Sequence, residues 1–174
     1  MQRQFFVMSD LHEMVLSVGG FRNLFESLRN KGVDVEKVVT EALANSNPLF
    51  SSIGFRVRRL SDGRAEIEFP MSREASRAGG IVHGGIIMYA LDTTLGLAVM
   101  TASQAINQYT LELKVNFLEQ LKKDPFIVEG RLLRLGRTTA VAEGEIRDAE
   151  GTICSKGIGT WYLVHNHQDE KKER

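Results

Sequence analysis

Apolar residues recur along this chain at two spacings, and the change from one to the other divides it. Up to about residue 45 the spacing is helical. Leu11, Met14, Val15 and Val18 accompany Asp10 and Glu13, a pair that resembles a capping box. Gly19-Gly20 interrupts that segment. Phe21, Leu24, Phe25 and Leu28 then share one face of a second predicted helix, with Gly32 as its stop. A third runs from about Val35 to Ala44, with Asp34 as N-cap and "NSNP" (Asn45 to Pro48) as its end.

Beyond Pro48 the texture becomes that of strands. Ile53 to Leu60 and Arg64 to Pro70 read as a hairpin about Ser61-Asp62-Gly63. Gln108 to Leu118 alternates, with Tyr109, Leu111, Leu113, Val115 and Phe117 expected on one face and Thr110, Glu112, Lys114 and Asn116 on the other. Pro125 to Leu135, Thr138 to Asp148 and Thr152 to Val164 supply three more strands. Between the two groups of strands lies one long apolar segment, about Gly84 to Ser103. Ile87, Leu91, Leu95, Ala98 and Ala102 form one stripe, and Met88, Tyr89, Leu97 and Met100 lie elsewhere. A helix apolar on nearly all sides is covered all round. The expected architecture is α+β, an antiparallel sheet wrapped around a long central helix. Its expected divisions are a helical N-terminal extension (1–45), the sheet domain (46–165) and a mobile tail (166–174).

Composition narrows the field. The 174 residues include 43% hydrophobic ones, enough for a real core, and formal net charge is zero with no basic stripe. The helical region itself carries five basic and six acidic residues, which argues against nucleic acid as a partner. A single cysteine, Cys154, excludes an intrachain disulfide and suits a reducing compartment. The first residues have too short an apolar run for a signal peptide. Ile86 to Met100 is short for a membrane span and contains Asp92. A cytoplasmic protein with no membrane partner is expected.

Asp92 is the chemical anomaly. From Ala78 through Leu111 it is the only residue with a full charge at neutral pH, taking His83 as neutral. A carboxylate so placed loses hydration and needs compensation. It could serve as nucleophile or general base, or be a structural aspartate held by the adjoining Thr93 and Thr94. At the start of the same helix, His83 precedes Gly84 and Gly85. Backbone N–H groups there lack intrahelical partners, and no side chain blocks a carbonyl oxygen from them. That is a candidate oxyanion site; the same glycines would also let a helix start close against a strand.

"AGGIVHGGIIMYALDTTLGLA", "YTLELKVNFLEQ" and "LLRLGRTTAVAEGEI" together resemble the hotdog-fold acyl-CoA thioesterases of the phenylacetic-acid-degradation branch, over roughly Asn47 to Val164. The most specific part is His-Gly-Gly with an acid nine positions after the histidine. The resemblance implies hydrolysis of an acyl-CoA thioester, with Asp92 as nucleophile or base, the Gly84 amide as oxyanion donor and His83 orienting the thioester. It places a supporting hydroxyl at Thr110, and coenzyme A contacts at Arg134, Arg137, Lys156 and Gly157. Coenzyme A is then part of the substrate; no separate cofactor and no metal is implied. One departure is Arg77, where some relatives carry asparagine. Met88, Tyr89 and Met100 are candidates for an acyl pocket, or simply core.

Spacing adds a constraint. Gly84 and Asp92 are eight residues apart, about 12 Å along a helix and about 80° around it. Either the substrate lies along the helix, or the two groups come from different subunits at a two-fold interface. The resemblance implies the latter, as a dimer or dimer of dimers. Two other functions fit the same pattern less well: a hotdog hydratase or dehydratase, and a non-catalytic acyl-CoA sensor whose N-terminal helices bind DNA.

Overall fold

A computed structural model describes residues 8–166 of the chain, with side chains from His12 onward. Most of the expected tail therefore lies outside the described residues. The helices are α1 (Met8–Val18), α2 (Phe21–Asn30), α3 (Val35–Ser46), α4 (Pro48–Ile53) and α5 (Gly84–Ala102). The strands are β1 (Arg56–Ser61), β2 (Arg64–Phe69), β3 (Ser76–Arg77), β4 (Ile81–Val82), β5 (Asn107–Phe117), β6 (Phe126–Leu135), β7 (Thr139–Arg147) and β8 (Ile153–Val164). Six of these form one antiparallel sheet in the order β1-β2-β6-β7-β8-β5, and β3 pairs with β4 alone.

The sheet curls around α5 as its hydropathy requires. Ile87, Leu91, Leu95, Ala98 and Ala102 are all buried. Only this described helix is long and apolar enough to cross a membrane, and its apolar surface is spent on the sheet. A row of glycines admits it. Gly130 pairs with Gly144, and Gly144 with Gly157, so three neighbouring strands lack a side chain at one level. Leu91 and Leu95 fill that trough. A Cβ on Gly144 would lie 2.8 Å from Leu95 Cδ2 and 2.2 Å from the Glu129 carbonyl oxygen, a backbone atom that cannot swing aside. Gly144→Ala is accordingly expected to cost about 1–3 kcal/mol of stability, read from the midpoint of urea unfolding.

The helical region is not an appendage. Val15, Phe21, Leu24, Phe25, Leu28, Val35 and Val39 belong to the same buried cluster as Phe69, Leu91 and Phe126. Phe21 N–H donates to Ala105 O (3.1 Å) and Arg22 N–H to Ser103 O (3.0 Å), which fastens the start of α2 to the end of α5. Along β1, an edge of the sheet, α3 takes the place of a missing strand. Glu36 Oε1 accepts from Leu60 N–H (2.8 Å), and Thr40 Oγ1 accepts from Val57 N–H (2.9 Å). An exposed edge invites pairing with another chain, and α3 closes this one. At the opposite edge, β5 has no such cover among the described residues.

Several local expectations need correction. Asp10 lies within α1, two residues past Met8, so it does not start that helix as a capping box would. The first strand begins at Arg56 rather than Ile53, because Asn47 opens an additional helix, α4. Its Oδ1 accepts from Leu49 N–H (3.1 Å) and Phe50 N–H (3.3 Å), Pro48 occupies the first turn, and Gly54 ends it at φ 85°. The Asp62-Gly63 turn does join β1 to β2, with Gly63 at φ 69°. Asp34 caps α3 through Lys37 N–H (3.0 Å), as expected.

Candidate active site

The site is built on α5 and β5. At the start of α5, His83 is the N-cap: its Nδ1 accepts from Gly85 N–H (2.9 Å), which leaves the ring proton on Nε2. The backbone around it is pinned by His83 N–H to Ala75 O (2.8 Å) and Val82 N–H to Leu121 O (3.1 Å). Gly85 is therefore already engaged. The Gly84 amide meets no acceptor among the described residues and is the donor left at the positive end of the helix. A Cβ at Gly84 would lie 3.5 Å from the Phe117 ring, so Gly84 sits against the end of β5. Arg77 is exposed on β3.

Two turns on, Asp92 is half-buried, and Thr110 Oγ1 donates to its Oδ1 at 2.8 Å. Burial pushes the Asp92 carboxyl above its ordinary value, and the Thr110 hydroxyl pulls it part of the way back. The adjoining threonines do not hold it. Thr94 donates instead to Ala90 O (2.7 Å), because residues one or two apart on a helix point different ways.

Thr110 reaches Asp92 only because the strand breaks its own alternation. Thr110 pairs with Trp161 and Glu112 with Thr160, so Leu111 is an extra residue, a β-bulge. Before the bulge Gln108 and Thr110 face α5; after it Leu113, Val115 and Phe117 do. Tyr109 and Leu111 are left exposed at 59% and 61%. The uninterrupted apolar face expected from Tyr109 to Phe117 does not exist, and Thr110 does not share a face with Glu112 and Lys114. Gln108 Nε2 donates to Gly96 O (2.9 Å), while its Oε1 is buried without a partner among the described residues.

Asp92 and Thr110 open into a cavity of about 320 Å³. Along α5 it is lined by Asp92, Thr93, Gly96, Leu97 and Met100, one helical stripe. The facing wall includes Val15 of α1, Phe21 and Phe25 of α2, and Val39 and Leu43 of α3. Of the three candidate acyl-pocket residues, Met100 lines it. Met88 is exposed, and Tyr89 packs against Phe55 with ring centroids 5.6 Å apart. Nothing in a local hydrophobic period says which cavity a helix will roof, so the contribution of α1 to α3 shows only in the packed structure.

The residues expected to hold coenzyme A are not brought together within one chain. Arg134 and Arg137 are exposed around the β6–β7 turn, beside the Tyr162 end of β8. Lys156 lies six residues away, about 20 Å along the strand, in an ion pair with Glu145 (3.1 Å). The side of Gly157 that would carry a Cβ faces Leu91 in the core. No cluster of three or more His, Cys, Asp or Glu suited to a metal occurs among the described residues.

A protein of Saccharolobus solfataricus that carries the name of a proposed esterase is 43% identical over 138 residues, covering 79% of this chain and 99% of that one. The sequence profile of the thioesterase superfamily matches residues 79–155, which span α5 and both site elements. The chain belongs to the thioesterase superfamily. A medium/long-chain acyl-CoA thioesterase of Escherichia coli is also similar, 28% identical over 145 residues, with 74% and 92% of the two chains covered. The crystal structure of a Haemophilus influenzae thioesterase has the same hotdog fold, with a TM-score of 0.69 at 19% identity over 76% of this chain and 93% of that one. In this thioesterase-superfamily chain Gly84, Asp92 and Thr110 all lie within the matched profile.

Proposed function

We propose that the protein hydrolyses acyl-CoA thioesters to free acid and coenzyme A, as an enzyme of the phenylacetic-acid-degradation type. The observation that carries the reading is the pair Asp92–Thr110 at the mouth of an apolar cavity: a half-buried carboxylate, oriented by one hydroxyl, where an acyl group can lie. The Asp92 carboxylate either attacks the thioester carbon directly or takes the proton of an attacking water. Either route builds negative charge on the carbonyl oxygen, and a Gly84 N–H is the donor that receives it. Collapse of the tetrahedral intermediate breaks the C–S bond and expels the coenzyme A thiolate, which takes up a proton; after direct attack the acyl group is left on Asp92 as a mixed anhydride, which a water then hydrolyses to free acid and carboxylate. Single turnover in ¹⁸O-water separates the two routes: general-base catalysis delivers the label to the product acid, whereas direct attack followed by water addition at the Asp92 carbonyl leaves it in Asp92. The name of the Escherichia coli relative supports acyl-CoA as the substrate class, and exposed Arg134 and Arg137 are the cations we assign to its phosphates.

The Gly84 amide is assigned to a second copy of the chain. Gly84 lies against Phe117, Asp92 against Thr110, and Gly96 against Gln108, so α5 runs antiparallel to β5. Pairing the uncovered β5 edge with its equivalent about a two-fold near residue 113 would exchange these ends. Gly84 of one copy would then face Asp92 of the other. The closed β1 edge and the open β5 edge, with Tyr109, Leu111, Phe117 and Leu118 exposed along and just beyond it, support that choice. The neutral-to-acidic charge of the helical region and the acid retained in α5 speak for a cytoplasmic enzyme over a DNA-binding sensor.

Thr110→Val tests the mouth of the site. Losing a hydrogen bond to a carboxylate is expected to lower kcat about tenfold. The acidic limb of the pH–rate profile should also move to higher pH, because the group that lowers the Asp92 pKa is gone. An acid limb that stays in place would separate Thr110 from the titrating group.

A further inference from the structure

The proposed thioesterase chemistry needs a carboxylate and an amide, yet the structure has added to them a chamber with a definite shape. We infer that helices α1 to α3 form the wall of an acyl-chain channel, which makes the protein selective for straight-chain acyl groups of medium length. The inference rests on the thioesterase reading for the reaction, and on the cavity for the substrate.

The cavity's one carboxylate, Asp92, and its partner Thr110 mark the end where the reacting carbonyl would sit. From there the lining on α5 proceeds through Thr93, Gly96 and Leu97 to Met100, two turns of helix or about 12 Å. Phe21, whose N–H is bonded to Ala105 O just past α5, stands at the far end. A volume of about 320 Å³ along that length has room for a hydrocarbon chain. With C–C bonds of about 1.5 Å in a zigzag, the same length takes roughly eight to ten carbons. Much of the wall opposite α5 comes from the helical region, with Phe25, Val39 and Leu43 facing the stripe. That region shares the main core and is hydrogen-bonded to the end of α5 and to β1, so the wall is fixed rather than draped. Leu43 is the residue to vary: it is only partly buried, so changes there alter the channel with less damage to the fold than at Phe25 or Val39.

Steady-state hydrolysis of acetyl- through palmitoyl-CoA, with phenylacetyl-CoA alongside, tests this on the full-length protein, Leu43→Trp and Leu43→Ala. For the wild type, kcat/KM is expected to rise about fourfold per added methylene, the value of burying a CH₂, and to level off between octanoyl and decanoyl. Leu43→Trp should lower the decanoyl-to-butyryl ratio at least tenfold, and Leu43→Ala should move the plateau to longer chains. Opposite shifts from one position are not produced by general loss of structure, which would depress all esters together. A flat chain-length profile, a preference for phenylacetyl over octanoyl, or the same ratio in all three proteins would overturn the inference while leaving the hydrolase intact. If the wild type hydrolyses no ester, the thioesterase reading fails, and calorimetric titration with decanoyl-CoA and butyryl-CoA still decides about the channel. A decanoyl preference that Leu43→Trp abolishes upholds it; equal affinities contradict it.

Discussion

Asp92→Asn is expected to lower kcat for acyl-CoA hydrolysis on the order of a thousandfold, with little change in KM. The amide keeps the shape and can still accept from Thr110 Oγ1, but it can neither attack the thioester nor accept a proton from water. The same substitution should leave the protein more stable at pH 8. Burial raises the folded carboxyl's pKa above its ordinary 3.8, so between the unfolded and folded values the native state binds more protons. Asp92 therefore favours folding fully only below the unfolded value, and that favour is lost as pH rises through the folded one. Asparagine does not titrate. Thermal unfolding should thus show Asp92→Asn melting above wild type at pH 8, with the gap closing as pH falls toward 4. Unchanged hydrolysis in Asp92→Asn would remove the carboxylate from the mechanism; a variant that melts lower at pH 8 would contradict the electrostatic account of the site.

Gly84→Pro is the second large effect, expected at about 10²–10³ in kcat from loss of one oxyanion donor. Proline suits the test because it removes the N–H and nothing else that the helix needs. Gly84 is the first residue of α5, where proline is favoured. His83 already has the extended backbone, φ −67° and ψ 137°, that a residue before proline adopts. The neighbouring Phe117 ring is at ordinary contact distance from the first added carbon. Circular dichroism and melting temperature should therefore stay close to wild type while turnover collapses. Retained turnover would assign the oxyanion to another donor.

What could be read in the sequence follows the range of the forces involved. A helix apolar on every side can only be wrapped, so α5 and its sheet were legible to within a residue or two, save for the start of β1. Asp34 and the Asp62-Gly63 turn act through near neighbours, and both were legible. Asn47-Pro48 carries an equally local signal for α4, but the same residues also end α3, and the two signals overlap. The bulge at Leu111 was not legible. The alternation from Tyr109 to Phe117 is unbroken in sequence, and the extra residue is decided by pairing with Trp161 and Thr160 in a distant strand. That one residue turns Thr110 toward Asp92, so the hydrogen bond between them has its physical cause in a register shift. The cavity wall was illegible for a similar reason. Val39 and Leu43 show a helical period, and only the packed structure shows that part of this face is left open opposite Asp92.

In the proposed dimer each active site combines Asp92 of one chain with Gly84 of another. Co-expression of Asp92→Asn and Gly84→Pro chains bearing different affinity tags allows mixed dimers to be isolated by two successive purifications. In a mixed dimer one site has both defects and the other has neither, so specific activity is expected at about half of wild type, although each parent variant is nearly inactive. Mixed dimers no more active than their parents would contradict the shared site and place Gly84 and Asp92 in separate roles on the same chain.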